Sequence, residues 1–242
     1  MIMAESWTPH KSDSFKVIIH VGHTSQKASI RLARHAAAHK ADAIGEMGPL
    51  FFKPATVDEL VNYCQSTAQS TKLPYYFYHM PSMNGLDFKM LDFLKLADGK
   101  IPNLAGIKYT HHDIEDFTAC LNYANQKYDL LFGRDEKLLD SLKVKTAGAV
   151  GSTYNFLAPL YNELRKNYEE GNVVEAQKLQ NISIKIIDEL ASVSFMSALR
   201  HAMRIQGLET GEPRAPLGKL SAQQKITLAD RIKALYPQNI NL

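Results

Sequence analysis

The sequence predicts an α/β protein built on a parallel sheet and ending in a helical segment. Three observations carry that expectation. Short apolar runs alternate with amphipathic helical stretches at a spacing of roughly 20 to 30 residues, the rhythm of repeated strand-then-helix units. A chain of 242 residues, 45% of them hydrophobic, is long enough to bury one large core. Beyond residue 153 no further strand pattern occurs, and apolar residues recur at helical spacing.

The first strand is expected in FKVIIHVG (15–22), followed by a helix from Thr24 to His39 with apolar positions three and four apart. ADAIGEMG (41–48) gives the second strand, and the next helix runs from Val57 to Ser70. Thr56, with Glu59 three residues on, reads as a capping box opening that helix. LPYYFYHM (73–80) and NLAGIKYT (103–110) are the third and fourth strands, with a helix from Glu115 to Gln126 after them. YDLLFG (128–133) and TAGAVGST (146–153) complete six. Helices are then expected over Tyr154 to Glu170, Val173 to Gln206 with a break, and Ser221 to Leu235, which divides the chain into a strand-bearing part, 1–153, and a helical part, 154–242.

Composition narrows the function classes. The formal charge of +3 is spread along the chain, and the nearest approach to a basic run is around Lys143 and Lys145, which argues against a nucleic-acid partner. Cys64 and Cys120 offer neither a disulfide framework nor a thiol metal motif, so a reducing, cytoplasmic setting is expected. No apolar run approaches a membrane span, and MIMAESWTPHKSDS is polar rather than a signal, so no membrane partner is expected.

In parallel α/β folds ligands gather at the carboxyl ends of strands. Five strand ends here finish in small or polar residues: His20 to Gly22, Tyr78 to Pro81, Lys108 to Thr110, Gly133 to Glu136 and Gly151 to Thr153. Lys108 stands out, because it closes an apolar run. Either its stem lies on apolar surface while the amine reaches water, or the amine loses its proton in apolar surroundings and attacks a carbonyl to form an imine.

Tyr78 ends the aromatic run YYFY, where Pro81 stops the strand; it reads as core packing or as a proton relay. In FGRDE (132–136), Asp135 and Glu136 are either acceptors for substrate hydroxyls or helix-start stabilisers. GAVGSTYN (148–155) is a glycine-rich turn with Ser152 and Thr153 as donors, matching no phosphate or dinucleotide fingerprint. His35 and His39 have the helical spacing of a metal pair, but no neighbouring acid or cysteine completes a set, so they read as a solvated face; His111 and His112 read as loop residues. No metal is expected.

Taken in order, KVIIHVGHTSQKASIRLARHAA, FFKP (51–54), YYFYHMP, LAGIKYT, LFGRDEKLL, GAVGSTYN and GEPRAPL (211–217) resemble the N-acetylneuraminate lyases. These belong to the superfamily of pyruvate-dependent class I aldolases that also contains dihydrodipicolinate synthase. The resemblance implies a (β/α)8 TIM barrel with extra C-terminal helices, usually a homotetramer, and reversible cleavage of N-acetylneuraminate to N-acetylmannosamine and pyruvate. It implies Lys108 as the imine-forming lysine, Tyr78 as the phenol that moves protons, and Thr110, Gly133, Asp135, Glu136 and Ser152 as the residues holding sugar hydroxyls. No cofactor is implied beyond the covalent lysine imine. The turn after Tyr78 reads PSMNG, with Met83 where the synthases carry an arginine, which favours the lyase branch. A lyase or synthase acting on another 2-keto acid is the related alternative.

The departure lies at the start. Family members carry two more strand-helix units before the match, with a G-T-T-G-E motif for the substrate carboxylate, and this chain has no such motif. The resemblance therefore implies a β/α barrel lacking its first two units. Six strands do not close an eight-stranded barrel. Two readings follow: a piece of a longer enzyme, or a truncated and poorly active, non-catalytic paralogue or isoform.

Overall fold

The computed structural model describes residues 1–236. The chain runs α1 (Ile2–Trp7), β1 (Ile18–His20), α2 (Gln26–Ala38), β2 (Ala43–Met47), α3 (Val57–Ala68), β3 (Tyr75–His79), α4 (Pro81–Asn84), α5 (Met90–Ala97), β4 (Leu104–Tyr109), α6 (Ile114–Asn122), β5 (Asp129–Phe132), α7 (Leu138–Lys143) and β6 (Gly148–Ala149). It continues through α8 (Tyr154–Glu169), α9 (Val173–Ala191), α10 (Phe195–Ile205) and α11 (Ala222–Leu235). Each of the six expected apolar runs holds a strand. They form one six-stranded sheet in the order β1-β2-β3-β4-β5-β6, and the pairs from β1 to β5 are parallel. The break expected between Val173 and Gln206 falls at residues 192–194.

The capping box at Thr56 is only half made. Thr56 accepts from the Glu59 N–H at 3.2 Å, but the Glu59 carboxylate turns to the N–H of Ala55 rather than to that of Thr56. The complete box belongs to α11, where Ser221 and Gln224 satisfy each other's backbone N–H.

Contacts divide the described residues into two compact units: residues 1–133 with 146–148, and residues 134–145 with those from 149 onward. In the first, side chains alternate across the sheet as strand geometry requires. Tyr75, Phe77 and His79 of β3 and Ile107 and Tyr109 of β4 are buried on one side. There Phe77 stacks on Phe93 of α5 at 4.6 Å, and Tyr109 and Phe132 lie against Phe117 of α6 at 5.2 and 5.0 Å. Each such ring removes enough apolar surface from water to contribute about 2 to 3 kcal/mol.

A buried carboxylate organises two of these helices. Asp116 of α6 accepts the N–H groups of Met90 and Leu91, at the start of α5, at 2.9 and 3.2 Å, and also the Tyr109 hydroxyl at 3.0 Å. It thus supplies the cap that Lys89, the residue before α5, lacks.

The second unit is helical. α9 is its centre, packed by α7, α8, α10 and α11, and its core includes Leu160, Leu164, Ala176, Ile186 and Leu190.

Candidate active site

The other side of the sheet is less covered, and there Tyr78 and Lys108 meet. β3 and β4 pair in parallel with Tyr78 opposite Lys108, so both side chains leave the sheet at the same level. The Lys108 Nζ stands 4.1 Å from the centre of the Tyr78 ring. Lys108 is half-buried and makes no ion pair among the described residues. The Tyr78 hydroxyl donates to the Met80 sulfur at 3.1 Å, a weak acceptor that a better one would displace.

His20, at the carboxyl end of β1, meets the Tyr78 ring edge-on at 6.2 Å. Burial, and secondly the charge of Lys108, push its imidazole below the ordinary histidine value, favouring the neutral ring. In the sequence His20 is marked only as the start of one of the five polar strand ends, with no individual role.

Thr110 and Gly133 also come together. The Thr110 N–H donates to the His79 carbonyl, and the Gly133 N–H to that of Tyr109, both at 2.8 Å, extending the ladder past the strand ends. A Cβ on Gly133 would lie 2.0 Å from Thr110 Oγ1, so glycine is what leaves room for that hydroxyl. Thr110 Oγ1 is buried without a hydrogen-bond partner. An orphaned buried hydroxyl costs about 1–3 kcal/mol, which makes it a position where a ligand oxygen would be welcome.

In the second unit, Asp135 is buried and fastened. Its Oδ2 accepts from the Thr153 N–H at 2.8 Å and the Thr153 hydroxyl at 2.5 Å, and Thr153 Oγ1 also meets the Tyr161 hydroxyl at 2.7 Å. A Cβ on Gly151 would sit 1.4 Å from Asp135 Oδ1. The carboxylate therefore holds the Gly151–Thr153 turn before α8, and the short turn that Asp135 begins has no side-chain capping bond from its N-cap, Arg134. Glu136 pairs with Arg134 at 2.6 Å, and Ser152 is exposed. Thr153, one of the two expected donors of the turn, is spent internally; Ser152 is the one left facing outward.

The histidines divide. His79 is buried, and burial with the neighbouring His111 pushes it down to about 3. The expectation that no acid stands near His35 and His39 is overturned by the fold: Glu5 of α1 reaches His35 Nε2 at 2.9 Å. Cys64 and Cys120 are free and buried. Among the described residues no helix is long and apolar enough to cross a membrane.

A parallel α/β fold with an amine and a phenol in register at two strand ends defines an enzyme-like class whose chemistry resides in side chains. The chain belongs to the Dihydrodipicolinate synthetase family, which it matches over residues 3–235. It is 34% identical over 238 residues to the N-acetylneuraminate lyase of Mus musculus, covering 96% of this chain and 74% of that one. Among solved structures, the N-acetylneuraminate lyase of Proteus mirabilis superposes with a TM-score of 0.93 at 38% identity, covering 97% of this chain and 80% of its own. The N-acetylneuraminate lyase (sialic acid aldolase) of Aliivibrio salmonicida gives 0.93 at 34%, covering 97% and 78%. The chain is thus an α/β protein of this TIM-barrel superfamily, and the likeness supports an enzyme of the aldolase and lyase type acting on a small molecule.

Proposed function

We propose that the chain carries the machinery of a class I aldolase that cleaves N-acetylneuraminate reversibly to N-acetylmannosamine and pyruvate. The observation that carries the proposal is the pairing of Lys108 with Tyr78, in register and 4.1 Å apart from amine to ring centre. The similarity to N-acetylneuraminate lyases supports the choice of substrate. An exposed Met83 on α4, where a synthase-type site would place an arginine for a second carboxylate, supports it further.

The chemistry follows from what the groups can do. Lys108, once free of its proton, attacks the C2 carbonyl of the open-chain sugar acid, and loss of water gives a protonated imine. That imine is an electron sink. Tyr78 relays the proton of the C4 hydroxyl, accepting it as its own passes to the substrate carboxylate; the C3–C4 electron pair moves into the imine, leaving an enamine of pyruvate and releasing the aldehyde. Protonation at C3 regenerates the imine, and water hydrolyses it to pyruvate and the free lysine. A neutral His20 beside Tyr78 adds no second cation to the site. Thr110, Gly133, Asp135, Glu136 and Ser152 are assigned to the sugar hydroxyls, with Thr110 best supported by its unpartnered oxygen. No cofactor is needed beyond the lysine imine, and the expected setting is a cytoplasmic homotetramer.

The test is covalent trapping: incubation with pyruvate, reduction with borohydride, and peptide mass mapping. Mass added at Lys108, and lost in Lys108→Met, is the expected result. A folded protein that takes no label would sink the proposal. Comparing sialic acid with 2-keto-3-deoxy sugar acids then separates the lyase from a related 2-keto acid enzyme.

A further inference from the structure

Away from the Lys108 face, α1 and α2 bring three metal-ligand side chains together. Glu5 lies on α1; His35 lies in the last turn of α2, and His39, four residues on, is the residue that ends that helix. One oxygen of Glu5 and one nitrogen from each histidine all lie within 4.8 Å of one another. We propose that Glu5, His35 and His39 form a binding site for a divalent transition-metal cation, of which zinc is the natural occupant.

The geometry is close to what the ion requires. Tetrahedral zinc, with bonds of about 2.0–2.1 Å, holds its ligand atoms roughly 3.3 Å apart. Glu5 Oε1 and His35 Nε2 are already at 2.9 Å, and the two imidazole rings are 4.3 Å apart between centres. Small side-chain rotations close the set, and water completes the fourth position. Two imidazoles and one carboxylate suit zinc, copper or nickel and disfavour magnesium or calcium, which take oxygen ligands.

An ordinary ion pair would account for Glu5 and His35 but not for His39, whose exposed ring lies tilted beside that of His35 with no hydrogen-bond partner of its own among the described residues. The site also has structural work to do. α1 is six residues long and buries only Ala4, so little apolar contact holds it, and a metal bridging Glu5 to α2 would fix it. This inference is independent of the aldolase reading, since none of its residues belongs to that chemistry.

Calorimetric titration of the chelator-treated chain with zinc chloride tests it. One saturable equivalent is expected, weakened at least about tenfold in His39→Ala and in Glu5→Gln, and unchanged in His112→Ala. Zinc should also raise the melting temperature of the parent chain and not of His39→Ala. His39 is exposed, so that variant tests the ligand without disturbing the core. Absence of saturable binding, or binding as tight in His39→Ala as in the parent, would overturn the proposal.

Discussion

Tyr76 of β3 reaches over β4 to Asp129 of β5, its hydroxyl donating to the carboxylate at 2.9 Å. What permits the crossing is Gly106, the β4 residue that pairs with both. A Cβ there would lie 1.8 Å from the Asp129 carbonyl oxygen and 3.0 Å from the Tyr76 ring. Burial and the bond to Asp129 push the Tyr76 phenol above its ordinary range, so it remains a donor at any working pH.

Gly106→Ala is therefore expected to cost about 3 kcal/mol, since the clash is with backbone and cannot be relieved by a rotamer. Urea unfolding should show a lower midpoint at unchanged slope. A midpoint equal to that of the parent would mean that β5 shifts freely, contrary to the pairing described.

Tyr78→Phe separates imine formation from proton transfer. The ring beside Lys108 remains and the hydroxyl is lost. Pyruvate should still be trapped on Lys108, while release of pyruvate from N-acetylneuraminate falls by about 10²–10⁴-fold. Equal loss of trapping and turnover would assign Tyr78 to holding the lysine instead.

Glu46 makes stability depend on pH. Its carboxyl is fully buried on β2, accepting from Thr67 and Tyr75 at 3.1 and 3.2 Å, and burial pushes it up to about 7 from 4.5. The folded state therefore holds this proton more tightly than the unfolded one. Its contribution is most favourable below about pH 4.5 and is lost as pH rises towards 7. Glu46→Gln should stabilise the protein by up to about 3 kcal/mol above pH 7 and by little in acid. Denaturant midpoints at the two extremes check this; an equal shift at both would rule out titration as the cause.

His79 acts in the opposite sense. It is held down to about 3, with a buried Nε2 that has no partner, so the folded state resists a proton that the unfolded chain accepts near 6.5. Stability from this group is complete above pH 6.5 and is lost as pH falls towards 3. His79→Phe should flatten the acid limb of the stability profile in that window; a limb of unchanged steepness would contradict it.

The strands were legible because each is an apolar run ending in small or polar residues, and Lys108 and Tyr78 because they end two such runs. α5 and α7 are harder to read, since their start signals are not local. Asp116 caps α5 from another helix, and the Leu139 N–H of α7 is met by Gln180, 41 residues away. Asp135 shows the same limit: adjacent acids after a strand read as hydroxyl acceptors or helix-start stabilisers, yet one secures the turn at Thr153 while the other meets Arg134. Glu5 and His35 are 30 residues apart, and only the packing of α1 beside α2 makes them neighbours.

The reach of Asp116 also sets how the protein breathes. The first amides of α5 are held by a side chain of α6, and the same carboxylate holds Tyr109 at the end of β4. The Met90 and Leu91 amides can therefore exchange with solvent deuterium only when α6 lifts as well. α5, α6 and the end of β4, one residue from Lys108, should open as a single unit with one shared protection energy, instead of fraying helix by helix.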